Sequence, residues 1–226
     1  MPRETAPPGD ASMEGSEAQT VNVDGLDEAT RELVELSIVI ATAREPELSA
    51  GMRHAAAAKL NPVWVEELIL QSYIFAGFPR ALNAAHEWRR ASGIRAPRSD
   101  EDADNRYEQW RERGEATCAL VYGEVYERLR SNIRELHPAL EEWMIVEGYG
   151  KLLGRAGLDL RRRELCIVAV CGALEQERQL HAHLRGALNA GAAPAEIGDT
   201  LAIVARHVDA DVARRFNQLW NRVREQ

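Results

Sequence analysis

The sequence predicts an all-α fold built from two tandem helical units related by a pseudo-two-fold repeat. Three observations carry that prediction. First, Gly25-Leu26-Asp27 returns as Gly157-Leu158-Asp159, 132 residues on, and the spacing holds without a gap. At that spacing Arg31-Glu32-Leu33 falls on Arg163-Glu164-Leu165, Glu45 on Glu177, Leu48 on Leu180, Arg53 on Arg185, Pro62 on Pro194 and Trp88 on Trp220. Two long copies, rather than many short ones, mark a duplicated domain whose halves pack as pseudo-symmetric partners. Second, apolar residues recur at helical spacing from Asp27 onward, with no alternating strand flanked by hairpin turns. Third, 226 residues with 45% hydrophobic content can bury one or two cores without disulfides or metals.

The elements follow in order. Leu26 to Ala43 reads as a first helix, N-capped by Asp27, whose run from Leu33 to Ala43 is apolar enough to be buried. Leu48 to Leu60 forms a second. Pro62 opens a third that runs to about Ala76, and Gly77-Phe78-Pro79 breaks the chain before a fourth ending near Gly93. Residues 24–93 are the first unit, and the polar, acidic stretch 94–105, with Pro97, is the linker. The second unit, 106–226, carries an extra lead-in of two helices, about Ala116 to Glu135 and Pro138 to Leu153. The repeat then resumes as Leu160 to Leu174, Glu177 to Ala190, Pro194 to about His207, and Asp209 to Arg224. Gly191 supplies the left-handed residue after the second of these.

Composition excludes several classes. A formal net charge of −8 argues against nucleic acid, which draws on clustered cations. Cys118, Cys166 and Cys171 form neither a CxxC nor a paired framework, so a reducing, cytoplasmic setting is expected. Met1 to Val23 has no apolar run, which makes it a disordered tail rather than a signal peptide, and no membrane partner is expected. His54, His86, His137 and His207 lack metal-site spacing, so no metal is predicted, and no glycine-rich phosphate loop occurs.

Chemistry, if present, centres on Glu177 to Arg185. On a helix Leu180, Leu184, Ala187 and Leu188 make one apolar stripe; His183 falls on one edge, and Glu177 and His181 on the other. The bland alternative is that all three are solvated edges of an amphipathic helix.

From Arg106 to about Gly191 the chain resembles the carboxymuconolactone decarboxylase family, within the alkylhydroperoxidase D-like superfamily. The residues that carry the likeness are Arg106-Tyr107, Gly114, Gly123-Glu124, Tyr149-Gly150, Arg155, Gly157-Leu158, Arg163, Glu177, Leu180, His183-Leu184-Arg185 and Asn189 to Gly191. The first unit is similar over Arg44-Glu45, Glu47-Leu48, Arg53, Glu67 to Leu70 and Ala76 to Pro79. There are departures. Where the second unit has His183 the first has Gly51, with His54 one turn on. Where the first has Phe75 to Pro79, the second has His207 to Asp211. Near Arg155 the family's aromatics are replaced by Leu152-Leu153-Gly154. The peroxidase branch places cysteines where this chain has Gln176 and Gln179, so thiol peroxidase activity is not expected.

The resemblance implies a cofactor-independent decarboxylase-like lyase acting on a small carboxylated lactone of the 4-carboxymuconolactone type. In that reading His183 is the proton donor, Arg185 and Arg155 grip carboxylates, and Glu177 orients His181 or an Arg. Arg53, Phe75 and Phe78 complete the substrate-binding set, His183 of one unit facing the Phe75 turn of the other. The likeness also implies a homo-oligomer, a trimer of two-unit chains forming a pseudo-hexamer. The competing expectations are a non-catalytic assembly protein that kept the fold, and a relative acting on another small keto-acid or lactone.

Overall fold

The computed structural model describes residues 25–99 and 107–225. The expected tail, residues 1–23, lies outside the described residues, as do Arg106 and residues 100–105 of the expected linker. Among the described residues every regular element is helical, and no helix is long and apolar enough to cross a membrane.

The first unit contains α1 (Glu28–Thr42), α2 (Glu45–Ala57), α3 (Pro62–Phe75) and α4 (Phe78–Ser92). Asp27 starts α1 by accepting the Thr30 N–H at 2.8 Å, one of the donors a helix start leaves unpaired. Asn61 does the same for α3, with Pro62 next to it in the first helical position. Gly77, at φ 97°, turns the chain sharply between α3 and α4, a conformation that side chains other than glycine resist. The second unit repeats the pattern in α8 (Leu160–Ala173), α9 (Glu177–Asn189), α10 (Pro194–Val204) and α11 (Ala210–Arg224).

Helices α1 and α8 pack against each other on the pseudo-two-fold axis. Arg162 Nε donates to Thr30 Oγ1 at 2.8 Å, and these two residues occupy equivalent positions of the repeat. Leu33, Val34 and Ile38 of α1 meet Leu165, Cys166 and Val168 of α8 in one continuous core shared by both units. Burial of each such side chain stabilises the fold by about 1.5–3 kcal/mol.

The lead-in differs from the sequence expectation. Two helices were expected; instead α5 (Tyr107–Tyr122) starts earlier, and a 3₁₀ turn at Gly123–Val125 divides it from α6 (Tyr126–Leu136). Gly123 sits at φ 52°, which an α-helix cannot continue through. Helix α7 (Pro138–Trp143) then widens into a π-helical segment, Met144–Leu153, where Gly154 N–H donates to the Tyr149 carbonyl five residues back. Paired glycines let this segment lie against α5. A Cβ on Gly114 would stand 2.0 Å from the Ile145 carbonyl oxygen, and one on Gly150 2.0 Å from that of Trp110.

The units are also tied by buried charge. Arg163 of α8 has no exposed surface; its Nη2 donates to Glu67 of α3 at 2.7 Å and its Nε to the Leu158 carbonyl at 3.0 Å. Glu67 also holds Arg155, whose Nε lies 3.1 Å from both carboxylate oxygens. The pseudo-symmetric counterpart, Arg31 with Asp199 at 2.9 Å, is partly solvated. Glu67→Gln strips two guanidiniums of their anion and should lower the unfolding free energy by about 3–5 kcal/mol. Asp199→Asn should cost less than about 1 kcal/mol. Urea denaturation of both variants checks the difference, and equal losses would contradict it.

Candidate functional site

Helix α9 separates its two edges by environment. Leu180, Leu184 and Ala187 are fully buried against α8 and α5, and His183 lies beside them, 3% exposed. Its Nδ1 is 2.8 Å from Oε2 of Glu164, which rises from α8 and is itself fully buried. Glu164 therefore accepts the Nδ1 proton and fixes the ring so that Nε2 is the nitrogen available for exchange with a ligand. The second carboxylate oxygen, Oε1, is buried with no hydrogen-bond partner. An unpartnered buried acceptor beside a histidine is costly and calls for a functional account.

His183 lines a cavity of about 600 Å³. The first unit contributes Tyr73, Ile74 and Phe75 from the end of α3, and the Phe75 ring meets the imidazole edge-on, centroids 5.6 Å apart. Leu129 and Ile133 of α6 with Leu140 and Trp143 of α7 form the facing wall. Polar groups come from elsewhere: Tyr122 at the end of α5, Glu147 and Tyr149 from the π-helical segment, and Arg178 and Gln179 from α9. Glu147 is paired with Lys151 at 3.3 Å. Among the described residues Arg178 has no ion-pair partner.

The two phenols meet edge to face, centroids 5.9 Å apart. Burial pushes both hydroxyls above the ordinary tyrosine range, the Glu164 carboxylate adding to the effect. Both stay protonated across the neutral range, and the Tyr149 hydroxyl donates to that of Tyr122, which leaves the Tyr122 proton free to face a developing oxyanion.

The residues singled out from sequence divide sharply. His183 and Phe75 are brought together in the cavity. Glu177 and His181 are not: they are exposed on the opposite edge of α9, beside Leu219 of α11, and Glu177 reaches Arg215 at 3.9 Å rather than orienting a histidine of the cavity. Arg155 lies outside that lining, its guanidinium paired with Glu67. Arg185 is half-buried and stands off the cavity lining. Arg53 is exposed, donating to Ser49 Oγ on its own helix at 2.7 Å beside a separate groove over Trp88. Phe78 is exposed and packs edge-on against Tyr73 rather than lining the cavity. Sequence reasoning missed Glu164, Tyr122, Tyr149 and Arg178. The signal for Glu164 was a charge inside a helix otherwise apolar enough to be buried.

The first unit holds a displaced counterpart. Glu32, equivalent to Glu164, lies 2.7 Å from Nε2 of His54, but that imidazole is 66% exposed on its side chain. At Gly51, the position matching His183, a Cβ would meet Val39 Cγ1 at 2.8 Å.

Residues 11–90 and 139–221 match the profile of the "Carboxymuconolactone decarboxylase family". The chain is also 24% identical over 200 residues to "Peroxisomal protein 2" of Schizosaccharomyces pombe, which covers 84% of this chain and 89% of that protein.

The cysteines stand apart from this chemistry. Burial raises the thiols of Cys118, Cys166 and Cys171 to about 12, so each remains a protonated thiol well above neutral pH. A chromogenic disulfide reagent at pH 8 should label none of the three in the folded protein and all three in guanidinium. Rapid labelling of the folded protein would contradict this.

Proposed function

This chain belongs to the carboxymuconolactone decarboxylase family, and we propose that it is a cofactor-independent decarboxylase-type enzyme acting on a small carboxylated lactone or a related conjugated acid. The observation that carries this reading is the buried Glu164–His183 pair opening onto a half-open, largely apolar cavity. The acid donor and the phenol donors face the same space.

The chemistry needs three things of the protein. As the bond to the departing carboxylate breaks, its electron pair spreads through the conjugated ring onto the carbonyl oxygen, so the substrate is its own electron sink. The Tyr122 hydroxyl, which accepts from Tyr149, and the Gln179 amide are the donors available to that oxygen. The carbon then takes a proton from His183 Nε2, with Glu164 holding the ring through Nδ1, and solvent returns the proton to the ring. Arg178 replaces Arg155 and Arg185 as the anchor for a retained carboxylate. The net change is one carboxylate exchanged for one proton, with CO2 released.

A non-catalytic role is the weaker reading. The reading as an assembly protein leaves the buried Glu164–His183 pair beside an apolar cavity without a role. We also propose that copies of the chain associate as trimers of two-unit chains, supported by exposed Leu70, Phe78 and Leu82 on α3 and α4. A strictly monomeric particle in solution scattering would contradict that assembly. The cytoplasm is the compartment we propose, with the peroxisome as the alternative that the yeast relative's name suggests.

Incubation with 4-carboxymuconolactone, following loss of the conjugated absorbance, tests the activity. His183→Gln should lower kcat by about 10²–10⁴ while leaving KM within a few-fold, because the ring acts on the proton rather than on binding. Glu164→Gln should fall in the same direction by a smaller factor. Full turnover by the His183 variant would remove the proposal.

A further inference from the structure

The cavity extends well past His183, and the part beyond it is built for something uncharged. Helix α6 buries none of its residues in the core; Leu129 and Ile133, four apart on its apolar face, are turned to the cavity instead. Leu140, Trp143 and Met144 continue that wall. Polar groups belong to α9, the end of α5 and the π-helical segment, so one side is polar and the other apolar. The charge inventory is equally uneven. Glu147 is neutralised by Lys151, His183 is matched by Glu164, and Arg178 is left as the one lining cation without an ion pair among the described residues. A ligand with two anchored carboxylates would need a second guanidinium. Arg155, the obvious source, is held by Glu67 outside this lining.

We infer that the site accepts acids that present a single carboxylate to Arg178 and lay an alkyl or aryl body of medium length along the α6–α7 wall. At the roughly 30 Å³ a water takes in the liquid, a cavity of about 600 Å³ has room for a body on the order of ten carbons, with space for imperfect fit. This deepens the reading under Proposed function, resting on the same cavity but not on the proton-transfer step. The substrate of the reaction then carries, besides the departing carboxylate and the one retained on Arg178, a hydrophobic substituent rather than a third charged group.

The experiment is calorimetric titration of the intact protein with unreactive probes below their micellar concentrations. These are straight-chain monocarboxylates from butyrate to decanoate, decanol, and decanedioate. Affinity should rise about two- to fourfold per methylene, and decanoate should bind at least tenfold more tightly than decanedioate. Arg178→Gln should abolish the preference for decanoate over decanol without weakening decanol. Ile133→Asp, at a half-buried position of a helix with no fully buried residue, should remove the chain-length dependence while leaving the circular dichroism unchanged. No gain with chain length, or equal affinity for the dicarboxylate, overturns the inference. The expected binding pattern with no decarboxylation of any carboxylated lactone would sink the catalytic reading alone, and decarboxylation without chain-length dependence would sink this inference alone.

Discussion

The Glu67 carboxylate, held between Arg163 and Arg155, is the constraint on which the rest of the structure depends. It joins α3 of one unit to α8 and the preceding loop of the other, away from water. Two consecutive residues of α8 then do different things: Arg163 fixes α3 through Glu67, and Glu164 fixes His183 of α9. Because both hang from one helical turn, the end of α3, with Phe75, is placed against the imidazole. Buried ion pairs add little net stability compared with apolar packing, but breaking one is severe. That asymmetry makes this cluster a device for geometry, holding the first unit's contribution to the second unit's cavity in one place.

Duplication here has produced unequal halves. Both units keep the Arg-Glu-Leu triplet, and both keep a glutamate–histidine contact between the first two helices. Only the second pair is withdrawn from solvent, because only the second unit has α5 and the π-helical segment packed over it. A carboxylate and imidazole in water are a weak surface contact, whereas the same pair buried is a positioned group. The chain thus holds one cavity of this kind among its described residues, made by one unit and closed by three residues of the other. Where Phe75 closes it, the equivalent position is His207, exposed and pushed below its ordinary pKa by partial burial and by Arg206.

Much of this was legible in the sequence. The 132-residue register gave the paired helices because a repeat shows in identities that do not depend on their surroundings, such as Pro62 and Pro194 at helix starts. The edges of α9 were legible too, since helical periodicity separates His183 from Glu177 and His181; which edge faced a cavity was not. That depends on α5 to α7, which have no copy in the first unit to compare with. The break at Gly123 and the widening at Met144–Leu153 come from close packing of glycines that local pattern does not register. Arginines were the hardest residues to place. Arg155 is defined by Glu67, 88 residues away, and no spacing rule reaches that far.

The hydrogen bond between His183 Nδ1 and Glu164 orients the ring toward the cavity, and nitrogen-15 spectra of histidine-labelled protein observe it directly. With the His183→Gln variant used for assignment, the His183 ring should show Nδ1 protonated at neutral pH, with Nε2 as the nitrogen whose signal moves when 4-carboxymuconolactone is added. A ring protonated on Nε2 alone, with neither nitrogen responding to the ligand, would contradict it.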